Sequence, residues 1–329
     1  MSEYKLGINT KVIGVGGAGI NAVNHIINAG LKEPEYTAID FDTMALDKSK
    51  APFRLKLESL YPPLTFPEFG DPARIRNRNS AIAERDKIKN VVSNADSILI
   101  IAGLGGGTGS GAAPIVSETA RETGALTIGV VTNPFSFEGR GRTQVAKAGI
   151  SDLDKHVDTL IVIPDDGILK TLQKRDTSVT EVFQVSDHNL WRAVQCIVEL
   201  ISAPCLSTPP SFNESAASLL KSRTGKSLAG RLGTGWASGE NRVKEAVQMA
   251  ITSPLLEEPF EMAGSILILF VCSPKLTVSE IQEGANIIAA ASREDAQVIY
   301  DISIDNNPKE ELYITVVCVY EQNKLRIAV

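Results

Sequence analysis

With 329 residues, 43% of them hydrophobic, the chain is long enough to bury a sizeable core and to divide into two domains. A net charge of −6, a pI near 5.3 and the lack of any long Lys/Arg run argue against general nucleic-acid binding. The longest apolar run, residues 266–272, is far too short to span a bilayer, and the first residues carry no apolar signal region. A cytoplasmic protein without direct membrane insertion is therefore expected. Cys196, Cys205, Cys272 and Cys318 are scattered without pairing, as are His25, His156 and His188, so neither disulfides nor a metal site is expected.

In chain order, residues 11–15 read as a buried strand and 21–29 as the helix after it. Short apolar runs at 36–39, 97–101, 125–132 and 159–163 read as further strands, with helical patterns at 113–123 and 143–156 between them. Continuous apolar strands alternating with helices predict a parallel sheet covered on both faces. The short basic stretch 73–78 reads as a solvated face. A long helical pattern over 180–201 ends in ISAPCLSTPPSFNES, whose prolines exclude regular helix or central strand. Helix at 242–251, strand at 265–271, helix at 278–291 and strands at 297–304 and 311–319 follow. The expected fold is α/β: a Rossmann-like parallel-sheet nucleotide-binding domain over 1–179, a central helix over 180–202, and a smaller α+β domain over 203–329.

Two glycine loops carry the chemistry. Gly14, Gly16 and Gly19 satisfy GxGxxG between a strand and a helix, with Asp40 at the end of the next strand. That pattern fits NAD or FAD, a more general phosphate cradle, or a tight turn without ligand. The second loop, AGLGGGTGSGAAP over 102–114, also opens a helix after a strand. Two helix ends can converge on one ligand there, with Thr108 and Ser110 adding hydroxyl donors. No lysine follows the glycines, so it is not a Walker loop. Two cradles imply several phosphates.

GGGTGSG resembles the signature of the tubulin and FtsZ superfamily. The resemblance continues through VVTNPFSFEGRGR (130–142), VDTLIVIPDD (157–166), WASGENR (236–242) and MAITSPLLE (249–257). It covers nearly the whole chain and is closer to bacterial FtsZ than to tubulin. It implies GTP or GDP as ligand, with Mg2+ as a possible companion ion. It also implies head-to-tail self-assembly into filaments, or assembly with a conventional FtsZ. By position, Gly16, Gly17, Ala18, Gly19 and Asn21 match the first phosphate loop, with Asn21 also placed toward the base. Gly105, Gly106, Gly107, Thr108, Gly109 and Ser110 match the second. Glu138 and Arg142 match the acid and base that hold ribose and phosphates. Phe183 and Asp187 match the residues that stack on guanine and accept its N–H groups, and Asp165 lies near the same pocket.

The sequence departs from the family where hydrolysis is concerned. The resemblance implies that acids in an N-x-D-x-x-D loop after the central helix complete the neighbouring subunit's site and orient the attacking water. Residues 204–221, PCLSTPPSFNESAASLLK, contain no aspartate, and none occurs between Asp187 and Asp295. Glu214 is the one acid left and a weak catalytic candidate. The region matching the family's γ-phosphate loop reads LTFPEFGDPAR, with Phe66, Pro67 and Phe69 in place of glycines. Asp40 and Asp165 stand where FtsZ commonly has asparagine. The sequence ends at Val329; if that is the terminus, tethering through a linker and terminal peptide like that of FtsZ is not expected. The expectation is a filament-forming or FtsZ-modulating nucleotide-binding protein with self-activated hydrolysis weak or lost. A division GTPase working through Glu214 and a NAD-dependent Rossmann oxidoreductase are the alternatives.

Overall fold

A computed structural model describes residues 8–62, 70–171, 177–202, 216–305 and 311–321. One ten-stranded sheet runs through them in the order β3-β2-β1-β4-β5-β6-β7-β10-β8-β9. Its first six strands are all parallel: β1 (Thr10–Val15), β2 (Glu35–Asp40), β3 (Phe53–Lys56), β4 (Ser97–Gly103), β5 (Leu126–Asn133) and β6 (Thr159–Pro164). Apart from the exposed edge strand β3, FRLK, these strands are largely buried because both faces are covered, as the sequence pattern predicts.

On one face lie α1 (Gly16–Asn28) and α8 (Val179–Ser202), packed into a core with Val12, Leu99, Ile128 and Ile161. On the other lie α3 (Asp71–Ala83), α4 (Arg85–Val92), α5 (Gly107–Glu122) and α6 (Arg140–Leu153), around Ile13, Ile98, Ile100 and Val116. Short helices α2 (Thr43–Asp47) and α7 (Asp165–Thr171) follow β2 and β6.

The second half is joined to the first through the sheet as well as through the long helix. Strand β7 (Leu228–Ala237) pairs in parallel with β6, Thr159 opposite Leu228, so the sheet continues without a break. Strand β10 (Leu312–Glu321) then lies antiparallel between β7 and β8 (Ser265–Cys272), and β9 (Gln297–Ile304) closes the edge. Helices α9 (Arg242–Ile251) and α10 (Val278–Ala291) cover one face around Val247, Ile268 and Val316. The other face meets α8, whose core takes in Leu267, Leu269, Val317 and Val319 as well as the residues of β4–β6. At 24 residues, about 36 Å of helix, α8 spans the sheet from one end of its strands to the other.

Two sequence expectations shift by about one and a half turns. The helices expected at 21–29 and 113–123 begin at Gly16 and Gly107, inside the glycine runs. A helix's first turn makes no i−4 bonds through its own N–H groups, so glycine costs little there, whereas Pro114 lies inside α5 as its eighth residue.

Candidate functional site

The order 3-2-1-4-5-6 reverses direction between β1 and β4, and a crevice opens there at the carboxyl ends of the two strands. Each glycine loop follows one of these strands, so topology alone brings them together. Packing confirms the contact. A Cβ on Gly16 would stand 3.1 Å from the Gly109 nitrogen, and one on Gly103 would stand 2.5 Å from the Ala18 Cβ. Gly19 leaves no room beside the Ile101 carbonyl, nor Gly109 beside that of Gly103. Gly17 and Gly106 are different, because a Cβ on either would meet nothing within 4 Å.

Helices α1 and α5 therefore start side by side in the crevice. Neither has a side-chain cap at its N-terminus, and neither carries an acid in its first turn. The unpaired N–H groups and the positive ends of two helix dipoles suit a multiply charged anion. The residues present thus fit a nucleotide's phosphates.

The hydroxyls of the second loop work within the protein. Ser110 is buried, and its Oγ accepts from the Gly105 N–H at 2.9 Å, bracing the turn in which Gly105 takes φ +97° against Pro134 and Arg142. Thr108 donates to Asp40 Oδ1 at 3.1 Å, and Asn77 of α3 reaches Thr108 Oγ1 at 3.4 Å. Asp40 is 4% exposed and also accepts from the Phe41 and Asp42 amides. Burial raises its pKa, and these hydrogen bonds oppose the rise. The acid of the GxGxxG pattern is thereby tied to the second glycine loop.

Beyond β5 and β6 the crevice is lined differently. Phe135 stacks on Phe137 at 4.9 Å and meets Phe183 of α8 edge-on at 5.4 Å. Phe183 and Phe137 remain 42% and 56% exposed, unusual for aromatics unless something covers them. Glu138 pairs with Arg142 one turn along α6 and accepts the Phe135 N–H at 3.0 Å, while Asp166 accepts that of Ser136 at 2.9 Å. Asp165 is buried and takes a hydrogen bond from Ser186 at 2.7 Å. Burial pushes its carboxyl up to about 8, the Ser186 bond works against this, and Glu138, Asp187 and Asp166 add to it. Burial alone lifts Asp187 to about 6. Asn21 lies exposed on the second turn of α1.

The sequence-predicted residues thus gather at one edge of the sheet, except Glu214, which lies outside the described residues together with Phe66, Pro67 and Phe69. Sequence reasoning missed Ser186, Asn77, Phe135 and Phe137. Only the placement of α8 beneath β6 reveals the first, and only the packing of α3 on α5 the second. Phe135 and Phe137 stood inside a quoted motif, and their alternation was the available signal. Among the described residues no cluster of His, Cys, Asp and Glu could hold a metal ion, and no helix is long and apolar enough to cross a membrane.

Residues 9–173 match the family model described as Tubulin/FtsZ family, GTPase domain, and residues 229–320 match that of the FtsZ family, C-terminal domain. The chain belongs to the Tubulin/FtsZ family. Among solved structures it is similar to an FtsZ dimer of M. jannaschii, at 30% identity and a TM-score of 0.86, over 97% of this chain and 90% of that one. Two CetZ proteins share the fold. That of Methanosaeta thermophila has 16% identity and a TM-score of 0.74 over 96% and 88% of the two chains. CetZ2 of Haloferax volcanii, described as a GTPγS-bound protofilament, has 15% identity and a TM-score of 0.74 over 94% and 92%. Family membership implies a guanine-nucleotide-binding GTPase domain.

Proposed function

We propose that this chain is a cytoskeletal guanine-nucleotide-binding subunit that stacks head to tail into filaments and hydrolyses GTP weakly or not at all by itself. One observation carries the binding: two uncapped helix N-termini lie side by side at the switch point, with Gly17 and Gly106 open to a ligand. In this reading the amides of residues 16–19 and 105–109 hold the phosphates. Arg142, steadied by Glu138, meets phosphate or ribose. Phe183 covers the base while Asp187 accepts from its N1–H and N2–H, an edge that adenine does not offer.

The stacking rests on family membership and on the protofilament recorded for CetZ2. The weak hydrolysis rests on the sequence of residues 204–221, which offers a neighbour's site no aspartate. A conventional FtsZ stacked on this chain's nucleotide end would supply the missing acids, so co-assembly is expected to restore turnover. In this reading the oxidoreductase alternative is disfavoured because it gives the second glycine loop no role.

Phosphate release from GTP is the test, measured across a protein-concentration series, alone and mixed with a hydrolysis-competent FtsZ, with light scattering in parallel. Persistent scattering without release by the protein alone is expected. Concentration-dependent release that falls on Glu214→Ala would establish the active-GTPase alternative instead.

A further inference from the structure

The two glycine loops offer an anion amides and helix N-termini, yet a carboxylate stands beside them. Asp40 ends β2 and is buried. It accepts from the Phe41 amide at 2.7 Å, the Asp42 amide at 3.3 Å and the Thr108 hydroxyl at 3.1 Å. Among the described residues no Lys, Arg or His forms an ion pair with it. Its charged neighbour Asp42 is a second acid, occupied in capping α2 through the Met44 amide at 2.9 Å.

Thr108 lies where the loops meet, since a Cβ on Gly16 would stand 3.3 Å from its own Cβ. Its hydroxyl carries a single proton, and Asp40 takes it. The Thr108 oxygen in turn accepts from Asn77 Nδ2 at 3.4 Å. Asn77 is held close to the loop, for a Cβ on Gly107 would come within 2.9 Å of that nitrogen. A hydroxyl in the first turn of α5, well placed to donate to a phosphate, is thus engaged by the protein.

Position along the sheet decides which part of a ligand meets this acid. Across the order β2-β1-β4-β5-β6 the crevice passes from Asp40, over the two loops, to Phe135 and Phe183 beyond β5 and to Asp165 and Ser186 beyond β6. With the base at Phe183 and Asp187 and the phosphates on the loops, the phosphate farthest from the base lies nearest to Asp40.

We propose that Asp40 determines how many phosphates the crevice favours, selecting a guanosine diphosphate over the triphosphate through its charge and its hold on Thr108. The proposal rests on the guanine-nucleotide reading above and adds which nucleotide the subunit keeps. A third phosphate brings negative charge toward a buried carboxylate that has no paired cation among the described residues, in surroundings that screen charge poorly. It also meets a hydroxyl whose proton is already engaged. Asparagine at this position would keep an acceptor for Thr108, remove the charge and turn an N–H toward the phosphate.

The test is titration calorimetry of the nucleotide-free protein with GDP and with GTPγS at pH 7.5, in EDTA so that no divalent cation masks the charge. Wild-type protein is expected to bind GDP at least ~10-fold more tightly than GTPγS. Asp40→Asn is expected to bring the two within ~3-fold by tightening GTPγS while GDP changes little, a split that a merely structural role would not produce. Thr108→Ala removes the hydroxyl and leaves the charge, so it should still prefer GDP to the wild-type extent. A further, selective loss of GTPγS binding in Thr108→Ala would make that hydroxyl a phosphate donor and overturn the proposal. Equal wild-type affinities for GDP and GTPγS would also overturn it, whether or not Asp40→Asn folds, and would leave the guanine-nucleotide reading standing. Binding of neither nucleotide would overturn both.

Discussion

Strand β7, LAGRLGTGWA, and the loops at the carboxyl edge are both rich in glycine, and the reasons differ. In β7 each glycine makes room for something the fold already contains. Gly230 lies on Ile161 of β6, and Gly233 and Gly235 lie beneath the Ala250 and Ala246 carbonyls, so that α9 rests directly on the sheet. In the loops, Gly14, Gly19, Gly103 and Gly109 are of that kind, pressed by backbone or neighbouring side chains on every side. Gly17 and Gly106 are not, because no atom of the protein approaches the space a side chain would fill. The difference separates glycines that the fold's own packing requires from glycines that it does not.

The largest effect expected from this contrast is on folding. Gly235→Ala would drive a methyl into the Ala246 carbonyl and to 2.8 Å from the Ala250 nitrogen, and Gly109→Ala would drive one into the Gly103 carbonyl. Each should cost about 3 kcal/mol or more, since displaced backbone cannot relax as a side-chain tip does. Chemical denaturation of the two variants checks this. A midpoint for Gly235→Ala close to wild type would mean that α9 does not lie on β7 as described.

The same contrast explains which parts of the fold were legible in the sequence. The parallel strands were visible because burial on two faces leaves uninterrupted apolar runs such as SILII, and α9 and α10 because apolar residues recur at helical spacing. Strand β7 was not legible, since its glycines interrupt the apolar pattern and only the helix above it explains them. Its pairing with β6 was hidden for the same reason. At the site, glycine loops and carboxylates were legible as motifs, whereas the use of a hydroxyl is not a property of its own segment. Thr108 turns to Asp40 because β1 sets β2 and β4 on either side of it, whereas Ser110 reaches Gly105 within its own loop.

Next in size is a loss of base recognition without loss of fold. Asp187→Asn keeps the volume and removes one acceptor, so guanine-nucleotide affinity should fall ~100-fold, about 2.7 kcal/mol. Relative preference should move toward xanthosine nucleotides, whose C2 carbonyl accepts from the new amide. The pH dependence carries the same assignment. Burial raises the Asp187 carboxyl to about 6, and only the ionised form accepts both guanine N–H groups. Affinity should therefore be full above pH 7 and fall as the pH drops through about 6, with this step absent in the Asn variant. Titration calorimetry at pH 5.5 and 7.5 reads both effects.

Smaller in binding, but more direct for the two kinds of glycine, is Gly17→Ala. The site is open and lies in the first turn of α1, so the fold should lose nothing and gain up to about 1 kcal/mol from reduced freedom of the unfolded chain. Nucleotide affinity should still fall ~10-fold, about 1.4 kcal/mol, because the methyl occupies the approach to the loop amides. Stability and affinity moving in opposite directions is the signature of a ligand-required glycine. Equal affinity would place the phosphates elsewhere.

The smallest effect separates the halves by what holds them together. The nucleotide end keeps its helix starts uncapped, whereas α10 is capped by Thr277 and tied to α9 through Glu280. The Glu280 carboxylate accepts from Arg242 Nε at 2.7 Å and Nη2 at 3.2 Å, and from the Thr277 amide at 2.9 Å. Arg242 is the leading cause that draws its pKa down to about 2; burial opposes the fall, and the Thr277 hydrogen bonds reinforce it. A depressed carboxylate contributes stability above its unfolded value of about 4.5, and that contribution is lost as pH falls toward 2. Glu280→Gln retains an acceptor for the Thr277 cap and removes the charge facing Arg242, so about 1 kcal/mol should be lost at pH 7. The variant and wild type should converge only as the pH falls to about 2 and below. Nucleotide affinity should be unchanged at every pH, because nothing at the carboxyl edge depends on this pair. A variant that weakened nucleotide binding would show instead that α9 and α10 are coupled through β7 and β6 to the loops.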